Sequence, residues 1–117
     1  MAENLRSDGK AVDVTLGNAF NNVTVNKGDL IQAEGWVGVA MHNGTKGDKI
    51  AIETTQREFV FPVGNIAAAK GAVLYADLAN DGKLTLVVDK TKTPIIKVTR
   101  AKDSNNNVWA KLLPQTV

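Results

Sequence analysis

Residues 28–63 alternate short apolar strands with glycine-containing turns, and this pattern constrains the fold more than any other feature of the chain. The pattern starts at the turn Lys27-Gly28-Asp29, turns again at Lys46-Gly47-Asp48, and ends on Phe59-Val60-Phe61-Pro62-Val63. Short strands separated by glycine turns are typical of small closed or nearly closed β-sheets. Because the same pattern continues on both sides of this stretch, we expect an all-β fold.

The chain has 117 residues, which is the size of one domain. We expect roughly nine or ten short antiparallel strands, because turn signals recur about every 8 to 12 residues. This spacing favours a small barrel or sandwich over alternating βαβ units. Residues 11–117 are therefore predicted to form a single β domain. Residues 1–10 place polar side chains around one leucine, so a flexible N-terminal arm is predicted there.

Two local signals refine this prediction. Asn80-Asp81-Gly82 is a strong hairpin turn, predicted to join a strand at residues 73–75 to one at residues 84–88. A short helix is predicted near residues 65–70, where Asn65 can cap an alanine-rich segment and Gly71 can end it. Both features fit a chain in which strands dominate.

Glycine and proline mark further positions. Lys27-Gly28-Asp29, Lys46-Gly47-Asp48 and Lys70-Gly71-Ala72 each precede a predicted strand, although their irregular spacing argues against a solenoid. Gly38 lies inside a strand, where glycine is unfavourable unless a bulge or a close backbone approach requires it, and we interpret it as a bend at which a small sheet curls over. Pro62 predicts an edge strand, because proline cannot donate to a ladder.

The sequence contains no arrangement typical of catalysis or of a metal site. It has no cysteine and a single histidine, His42, which lies beside a turn, so a zinc or iron site has no ligand set. Glu53 and Glu58 could form a glycosidase-like pair, but an exposed polar face explains them better. Phosphate-binding loops and nucleophile motifs are absent from the sequence. We therefore predict a non-enzymatic protein with no metal and no cofactor.

Binding to nucleic acid is the weaker of two interpretations of the surface. The formal net charge is +2, and arginine, which is favoured for reading bases, accounts for 3 of the 14 basic residues. Trp36 and Trp109 lie among apolar residues, which favours core positions. If either is exposed, it becomes a candidate contact to a partner, because tryptophan is enriched in binding hot spots. A small nucleic-acid-binding barrel stays open as an alternative below a protein-binding role.

The N-terminal residues Met1-Ala2-Glu3-Asn4-Leu5-Arg6 lack the apolar core of a signal peptide. The apolar stretch at residues 59–69 is shorter than the roughly 18 residues that a membrane span needs. We therefore expect a soluble protein that is made in the cytoplasm and has no membrane partner.

A series of segments in a fixed order resembles the capsid cement, or head decoration, proteins of tailed phages, a family formerly known as a domain of unknown function. The segments are Lys27-Gly28-Asp29-Leu30-Ile31, Gly35-Trp36-Val37-Gly38-Val39-Ala40, Gly47-Asp48-Lys49-Ile50-Ala51-Ile52, Phe59-Val60-Phe61-Pro62-Val63, Lys70-Gly71-Ala72-Val73-Leu74-Tyr75-Ala76-Asp77 and Gly82-Lys83-Leu84-Thr85. They cover about residues 27–88. The chain departs from the family pattern at Ile95-Ile96-Lys97-Val98, where relatives usually carry a glycine, and in its longer N-terminal lead-in.

The resemblance implies a homotrimer on the outer surface of an icosahedral phage head. There it would bridge subunits of the major capsid protein and stabilise the shell against the pressure of packaged DNA. The composition, and not the resemblance, is the reason that we expect no nucleic-acid partner. The candidate contacts to the capsid or within the trimer are Asn4, Leu5 and Arg6 of the arm, together with Trp36 and Trp109. The arm could add a strand to a capsid sheet edge. The alternative is another phage structural adaptor, at the tail or neck.

Overall fold

The computed structural model describes residues 11–114 and confirms the predicted all-β fold of short antiparallel strands. This part of the chain forms nine strands and one 3₁₀ helix, Asn18–Phe20. The strands are β1 (Ala11–Thr15), β2 (Leu30–Ala33), β3 (Trp36–Ala40), β4 (Lys49–Glu53), β5 (Glu58–Pro62), β6 (Val73–Ala76), β7 (Gly82–Lys83), β8 (Thr93–Arg100) and β9 (Asn107–Leu112). They pair in two sheets, ordered β1-β4-β3-β2-β7 and β5-β9-β8-β6. The arm predicted at residues 1–10 lies outside the described residues.

The chain divides into two compact units. The first contains the described residues up to Thr55 together with Asp81–Lys83, and the second contains residues 56–80 and the described residues from 84 onward. Each unit is built on one sheet, because β1 to β4 and β7 fall in the first unit and the remaining strands fall in the second. The single domain predicted over residues 11–117 stays a prediction, because two contact units within the described residues can belong to one domain.

The core of the first unit is a cluster of buried, mostly aliphatic side chains. Antiparallel pairing of β1 with β4 sets Val14 opposite Ile50 and Val12 opposite Ile52, which places these apolar residues on one face of the sheet. The 3₁₀ helix adds the ring of Phe20 to the cluster. The buried members are Val14, Leu16, Phe20, Val25, Ile31, Ala33, Ala40, Ile50 and Ile52.

The second unit buries alternate residues of its strands. In β9, Val108, Ala110 and Leu112 are buried, whereas Trp109 and Lys111 between them are exposed. The other strands supply further fully buried side chains, namely Phe61, Leu74 and Ile96. A sheet with one buried and one exposed face follows from this two-residue period.

A tight hairpin joins β2 and β3. Glu34 and Gly35 both have positive φ, 51° and 82°, as the two central residues of a type I′ turn require. The Glu34 carboxylate accepts a hydrogen bond of 2.5 Å from the backbone N–H of Thr15 in β1. The turn therefore connects β2 to β3, and its Glu34 side chain also provides a hydrogen-bond acceptor for a backbone N–H of the edge strand β1.

Pro62 lies in an edge strand, as predicted. β5 is the first strand of the four-stranded sheet and has β9 as its neighbour. The backbone N–H of Val63 donates to the carbonyl of Asn106, on the β9 side, at 2.9 Å. Because successive residues of a strand point their backbone groups to opposite sides, Pro62 lacks its N–H on the open side of β5.

The helix predicted near residues 65–70 is wrong. The backbone there makes two separate turns, in which Ile66 N–H donates to Val63 and Ala72 N–H donates to Ala69. The Ala68 carbonyl instead accepts from Lys102 N–H at 3.1 Å. A segment this short needs packing to stay helical, and here its backbone groups bond elsewhere. Within residues 11–114, no helix is long and apolar enough to cross a membrane.

The tight hairpin turn predicted at Asn80-Asp81-Gly82 does not form, although the two segments that it was predicted to join do meet in one antiparallel bridge. Gly82 and Lys83 form β7, which pairs with β2 through Gln32 and Ile31 instead of with the preceding strand. The segment after β7 contacts β6 through one isolated bridge, Tyr75 with Val87. A local turn signal cannot compete with the long-range pairing that β2 offers.

The three lysine-glycine turns have one geometry. The residue after each glycine donates its N–H to the carbonyl three residues earlier, at 2.9, 3.0 and 3.0 Å, in the turns 26–29, 45–48 and 69–72. The three glycines have φ of 96°, 95° and 90°, the positive value that the third position of a type II turn requires. Each strand β2, β4 and β6 begins at the residue after its turn.

Each of these turns docks on the strand that pairs with the strand it starts. The glycine N–H donates to the backbone carbonyl of one residue in or next to the neighbouring strand. The N–H of that residue donates in return to the carbonyl of the last residue of the turn. The receiving residues are Ala40, Leu16 and Val98, at donor–acceptor distances of 2.7–2.9 Å. The repeated sequence signal therefore corresponds to a repeated structural element that extends each strand pair by one turn.

Candidate functional site

Both tryptophans are exposed, so the interpretation that they belong to the core is wrong. Trp36 is 45% exposed and Trp109 is 38% exposed. Trp109 lies in the middle of β9 in the second unit, and Trp36 is the first residue of β3 in the first unit. An exposed tryptophan on a regular strand is unusual enough to mark a candidate interaction surface.

Trp109 has an apolar neighbour on the exposed face of the four-stranded sheet. The register of β5 and β9 places Val60 directly opposite Trp109, and Val60 is 47% exposed. Two residues further along the ladder, the pair of Pro62 with Asn107 adds another exposed apolar residue, Pro62, to this face. These side chains form a contiguous apolar area across two strands, and we call Val60, Pro62 and Trp109 the β5–β9 patch.

Arg100 holds the Trp109 ring on its other side. Arg100 in β8 is opposite Trp109, and its guanidinium carbon lies 4.5 Å from the ring centroid. The ladder shifts register between Val98 and Arg100, and this irregularity brings Arg100 level with the tryptophan. A guanidinium over an indole face is attracted by the ring quadrupole. The contact restricts the ring of Trp109, which keeps it in place on the exposed face.

A basic row lies beside the patch. Lys111 of β9 is opposite Lys97 of β8 on one side and Glu58 of β5 on the other. The Glu58 carboxylate accepts a hydrogen bond from the hydroxyl of Thr99. The two lysines and Lys70 of the third turn line a groove of about 420 Å³, together with Gln56, Gly71, Val98, Thr99, Leu112 and Leu113.

Trp36 is placed differently. It ends the β2–β3 hairpin opposite Ala33, and the other four residues of β3 are buried. Its pairing partner is buried as well, so Trp36 has no exposed apolar neighbour in the β2–β3 ladder. Asn4, Leu5 and Arg6, the other predicted contacts, lie outside the described residues. Of the predicted contact residues that the structure describes, Trp109 is the one with exposed apolar neighbours, Val60 and Pro62.

The groups considered for chemistry are not brought together. His42 is exposed in the turn after β3, as predicted. Glu53 is buried in β4 and accepts a hydrogen bond from the Thr55 hydroxyl, so an exposed polar face describes Glu58 but not Glu53. The two glutamates belong to different sheets. In the stretch from residue 11 to residue 114, no group of three or more His, Cys, Asp or Glu could hold a metal ion.

One carboxyl pKa is shifted by its hydrogen bonds. The hydroxyl of Thr91 and then the backbone N–H of Thr91 donate to the Asp89 carboxylate, and both bonds lower the pKa of Asp89 below its usual value. Asp89 is fully exposed in the loop before β8. The lowered pKa of Asp89 therefore comes from a local turn in which its carboxylate accepts hydrogen bonds from the residue two positions later. It does not indicate a binding cleft.

Sequence reasoning named Trp109 and missed the residues around it. The signal was present, because Glu58, Val60 and Pro62 alternate with Phe59 and Phe61, and Trp109 and Lys111 alternate with the buried residues of β9. What the sequence lacks is the register that sets Val60, Arg100 and Lys97 beside these positions. Register depends on pairing between strands that are distant in the chain.

The exposed face is thus an apolar patch centred on a restrained tryptophan, flanked by a basic groove. Such a surface can bind a partner. Comparison of the chain with protein-family models, with curated proteins and with solved structures finds no match in any of the three.

Proposed function

We propose that this chain is a non-enzymatic structural protein of a tailed-phage virion. It binds the outer surface of the icosahedral head as capsid cement, as a homotrimer that bridges subunits of the major capsid protein. The shell is then held against the pressure of the packaged DNA by adhesion alone. The resemblance of residues 27–88 to head decoration proteins supplies the biological setting for this proposal.

The observation that carries the proposal is the β5–β9 patch on the exposed face of the four-stranded sheet. Val60 and Trp109 are neighbours on adjacent strands, and both are large apolar side chains in contact with solvent. Burying such side chains in a contact contributes roughly 25 cal/mol per Å² of apolar surface removed from water. A protein that works by adhesion has a use for this surface.

The way in which the patch is built also favours adhesion. Its residues lie on paired strands, and Arg100 restrains the Trp109 ring. Little side-chain entropy is then lost when a partner covers the ring, and this preorganisation raises affinity. The patch suits either of two contacts in the proposal, the one between trimer subunits and the one with the capsid. The N-terminal arm with Asn4, Leu5 and Arg6 stays a second proposed capsid contact.

One further observation favours a second candidate function, the binding of nucleic acid. Arg100, Lys97 and Lys111 place positive charge around an exposed tryptophan on a β-sheet, an arrangement that single-stranded nucleic acids can use. Its binding would weaken steeply with added salt. We rank it second because the Arg100 guanidinium already occupies a face of the Trp109 ring.

The proposal is tested by adding the purified protein to undecorated heads of the phage that encodes it and measuring co-sedimentation. We expect saturation at three copies per site, and Trp109→Ala should weaken binding by about tenfold or more, as loss of a hot-spot side chain does. Val88→Ala is the matched control, because Val88 is an exposed apolar residue outside the strands of the same unit. This variant should bind like the parent protein.

Other outcomes would replace the proposal. Binding to isolated tails or necks, and not to heads, would assign the chain to the phage adaptors. Binding to single-stranded DNA that weakens with salt, without any binding to heads, would favour the second candidate. Equal binding of the Trp109→Ala and parent proteins to heads would remove the β5–β9 patch from the contact.

A further inference from the structure

Two lysines on adjacent strands, Lys97 and Lys111, lie directly opposite each other, and this pairing does not stabilise the sheet. Lys97 and Lys111 are direct partners in the antiparallel ladder of β8 and β9, and both are exposed. Like charges directly opposite each other on adjacent strands destabilise a sheet. Lys70 from the third lysine-glycine turn lines the same groove, which adds a third positive charge. Three cations in one groove form a site that attracts an anionic group.

The groove lining contains no carboxylate to neutralise these charges. Its other residues are polar uncharged or apolar, namely Gln56, Gly71, Val98, Thr99, Leu112 and Leu113. The nearest acid in the ladder is Glu58, which is opposite Lys111 and accepts the hydroxyl of Thr99. No ion pair within 4 Å joins Glu58 to either lysine among the described residues. The row across the sheet therefore keeps an excess of positive charge.

We propose that this groove binds a carboxylate of an extended, acidic protein segment. The geometry points to a segment that also carries a large apolar side chain two residues from the acid. Lys111 and Trp109 lie two residues apart on the exposed face of β9, a separation of about 6.8 Å along a strand. An extended partner running along β9 has the same repeat on its own face. It would place its carboxylate on the lysines and its apolar side chain on the β5–β9 patch.

The observations favour a protein segment over nucleic acid as the occupant. Bases stack on the faces of aromatic rings, and the Arg100 guanidinium occupies one face of the Trp109 ring at 4.5 Å from its centroid. Leu113 lines the groove beside the lysines and is partly exposed, which suits the aliphatic parts of a peptide. Charge complementarity over an apolar contact is typical of peptide recognition.

This inference rests on the proposed function only in placing the partner on the exposed face of the four-stranded sheet, so it is tested without phage heads. The ¹⁵N-labelled protein is titrated with a synthetic peptide in which one Asp and one Leu are separated by a single Ser, with Ser at all other positions. We expect saturable shifts of the backbone amide signals of Lys97, Lys111 and Trp109. The same peptide with Asn in place of Asp should bind about tenfold or more weakly.

Charge reversal provides a sharper test. Lys97→Glu should abolish peptide binding and should not lower the melting temperature, because it replaces a like-charge pair with an opposite-charge pair across β8 and β9. A merely structural role for Lys97 would not produce loss of binding together with retained stability. Lys90→Glu is the matched control, since Lys90 is an exposed lysine of the same unit outside the groove. It should bind the peptide like the parent protein.

Several results would overturn the inference. These are equal binding of the Asp and Asn peptides, shifts that avoid the groove, unchanged binding by Lys97→Glu, or tighter binding of oligothymidylate than of the Asp peptide at the same salt concentration. The two proposals can fail separately. If the protein binds phage heads but not the peptide, this inference alone is overturned. If it binds the peptide but not heads, the proposed function alone is overturned.

Discussion

Gly38 is the residue whose replacement the structure restricts most directly. It lies in the middle of β3, and its φ is not among the positive values of the chain, so backbone conformation does not require glycine there. A Cβ atom at this position would lie 2.6 Å from the backbone oxygen of Glu53 and 3.2 Å from two side-chain atoms of Ile52. The reason for glycine is therefore the close approach of β4, whereas the sequence was interpreted as indicating a bend.

We expect Gly38→Ala to lower the free energy of unfolding by about 1–3 kcal/mol, the usual cost of overpacking a tight interior. The backbone of β4 cannot rotate away as a flexible side chain could, so a shift of the strand must absorb the added methyl group. Chemical denaturation monitored by circular dichroism measures the change. Gly17→Ala is the control, because no atom lies within 4 Å of the added Cβ and φ is −91°. Equal stabilities of the two variants would contradict this explanation.

At the scale of elements, the lysine-glycine turns show what local sequence can specify. Lys27-Gly28-Asp29, Lys46-Gly47-Asp48 and Lys70-Gly71-Ala72 look alike in the sequence and fold alike, with the same internal bond and the same docking bonds. Each needs only a positive φ at its glycine and an adjacent strand. Turn chemistry of this kind is local, and for that reason it is readable from the sequence.

The predicted helix near residues 65–70 and the predicted hairpin turn at residues 80–82 show where prediction from local sequence fails. Alanine propensity near Asn65 is weak beside the hydrogen bonds that Ala68 and Gly71 make with Lys102 and Val98. The hairpin signal is stronger, but β7 pairs with a strand about fifty residues earlier in the chain, which no window of local sequence contains. The same reason explains why Trp109 could be named from the sequence, whereas its neighbours Val60 and Arg100 could not.

The aspartates of the first two turns add a bond that the third turn lacks. The Asp29 carboxylate accepts the N–H of Asn26, and the Asp48 carboxylate accepts the N–H of Thr45, each at 2.8 Å. Alanine occupies the matching position in the third turn, residue 72, and the turn still forms. The carboxylate therefore stabilises this type of turn without being required for it.

Asp48→Ala should accordingly lower the free energy of unfolding by about 1 kcal/mol, the net contribution of one such hydrogen bond, and should leave the fold intact. Asp48→Asn should cost less, because the amide oxygen can still accept the N–H of Thr45. Thermal and urea unfolding of both variants would be compared with Asp13→Ala, an exposed aspartate of β1. If Asp48→Ala unfolded the first unit completely, the comparison with the third turn would be misleading.

At the scale of the whole molecule, the first unit is not formed by one continuous segment of the chain. The chain completes β1 to β4 in the first unit, enters the second unit at residue 56, and returns for Asp81–Lys83 before it completes the second unit. β7 pairs with β2, so the first unit includes three residues from the middle of the second unit's sequence. Composition and turn spacing carry no information on such a return of the chain, so the return could not be predicted from the sequence.

Side chains on both ends of β7 attach it to the first unit. The Asp81 carboxylate accepts the N–H of Glu34 at 3.0 Å, and the Lys83 ammonium lies 3.0 Å from the Asp29 carboxylate. Lys83 also donates to the carbonyl of Thr24. Two residues of backbone pairing are few for a strand, so these side-chain bonds should supply much of the stability of β7.

We therefore expect the double variant Asp81→Ala/Lys83→Ala to release β7 while both sheets stay folded. Native-state hydrogen exchange should accelerate about fivefold or more at the amides of Glu34 and β7, as the loss of roughly 1 kcal/mol of local stability implies, and should stay unchanged in β8 and β9. Asp77→Ala/Lys92→Ala is the matched control, because it removes an exposed aspartate–lysine pair, 3.7 Å apart, within the second unit. Unchanged exchange at Glu34 in the first variant would mean that backbone pairing alone holds β7. Equal acceleration in β8 and β9 would mean that the return of the chain stabilises both units together.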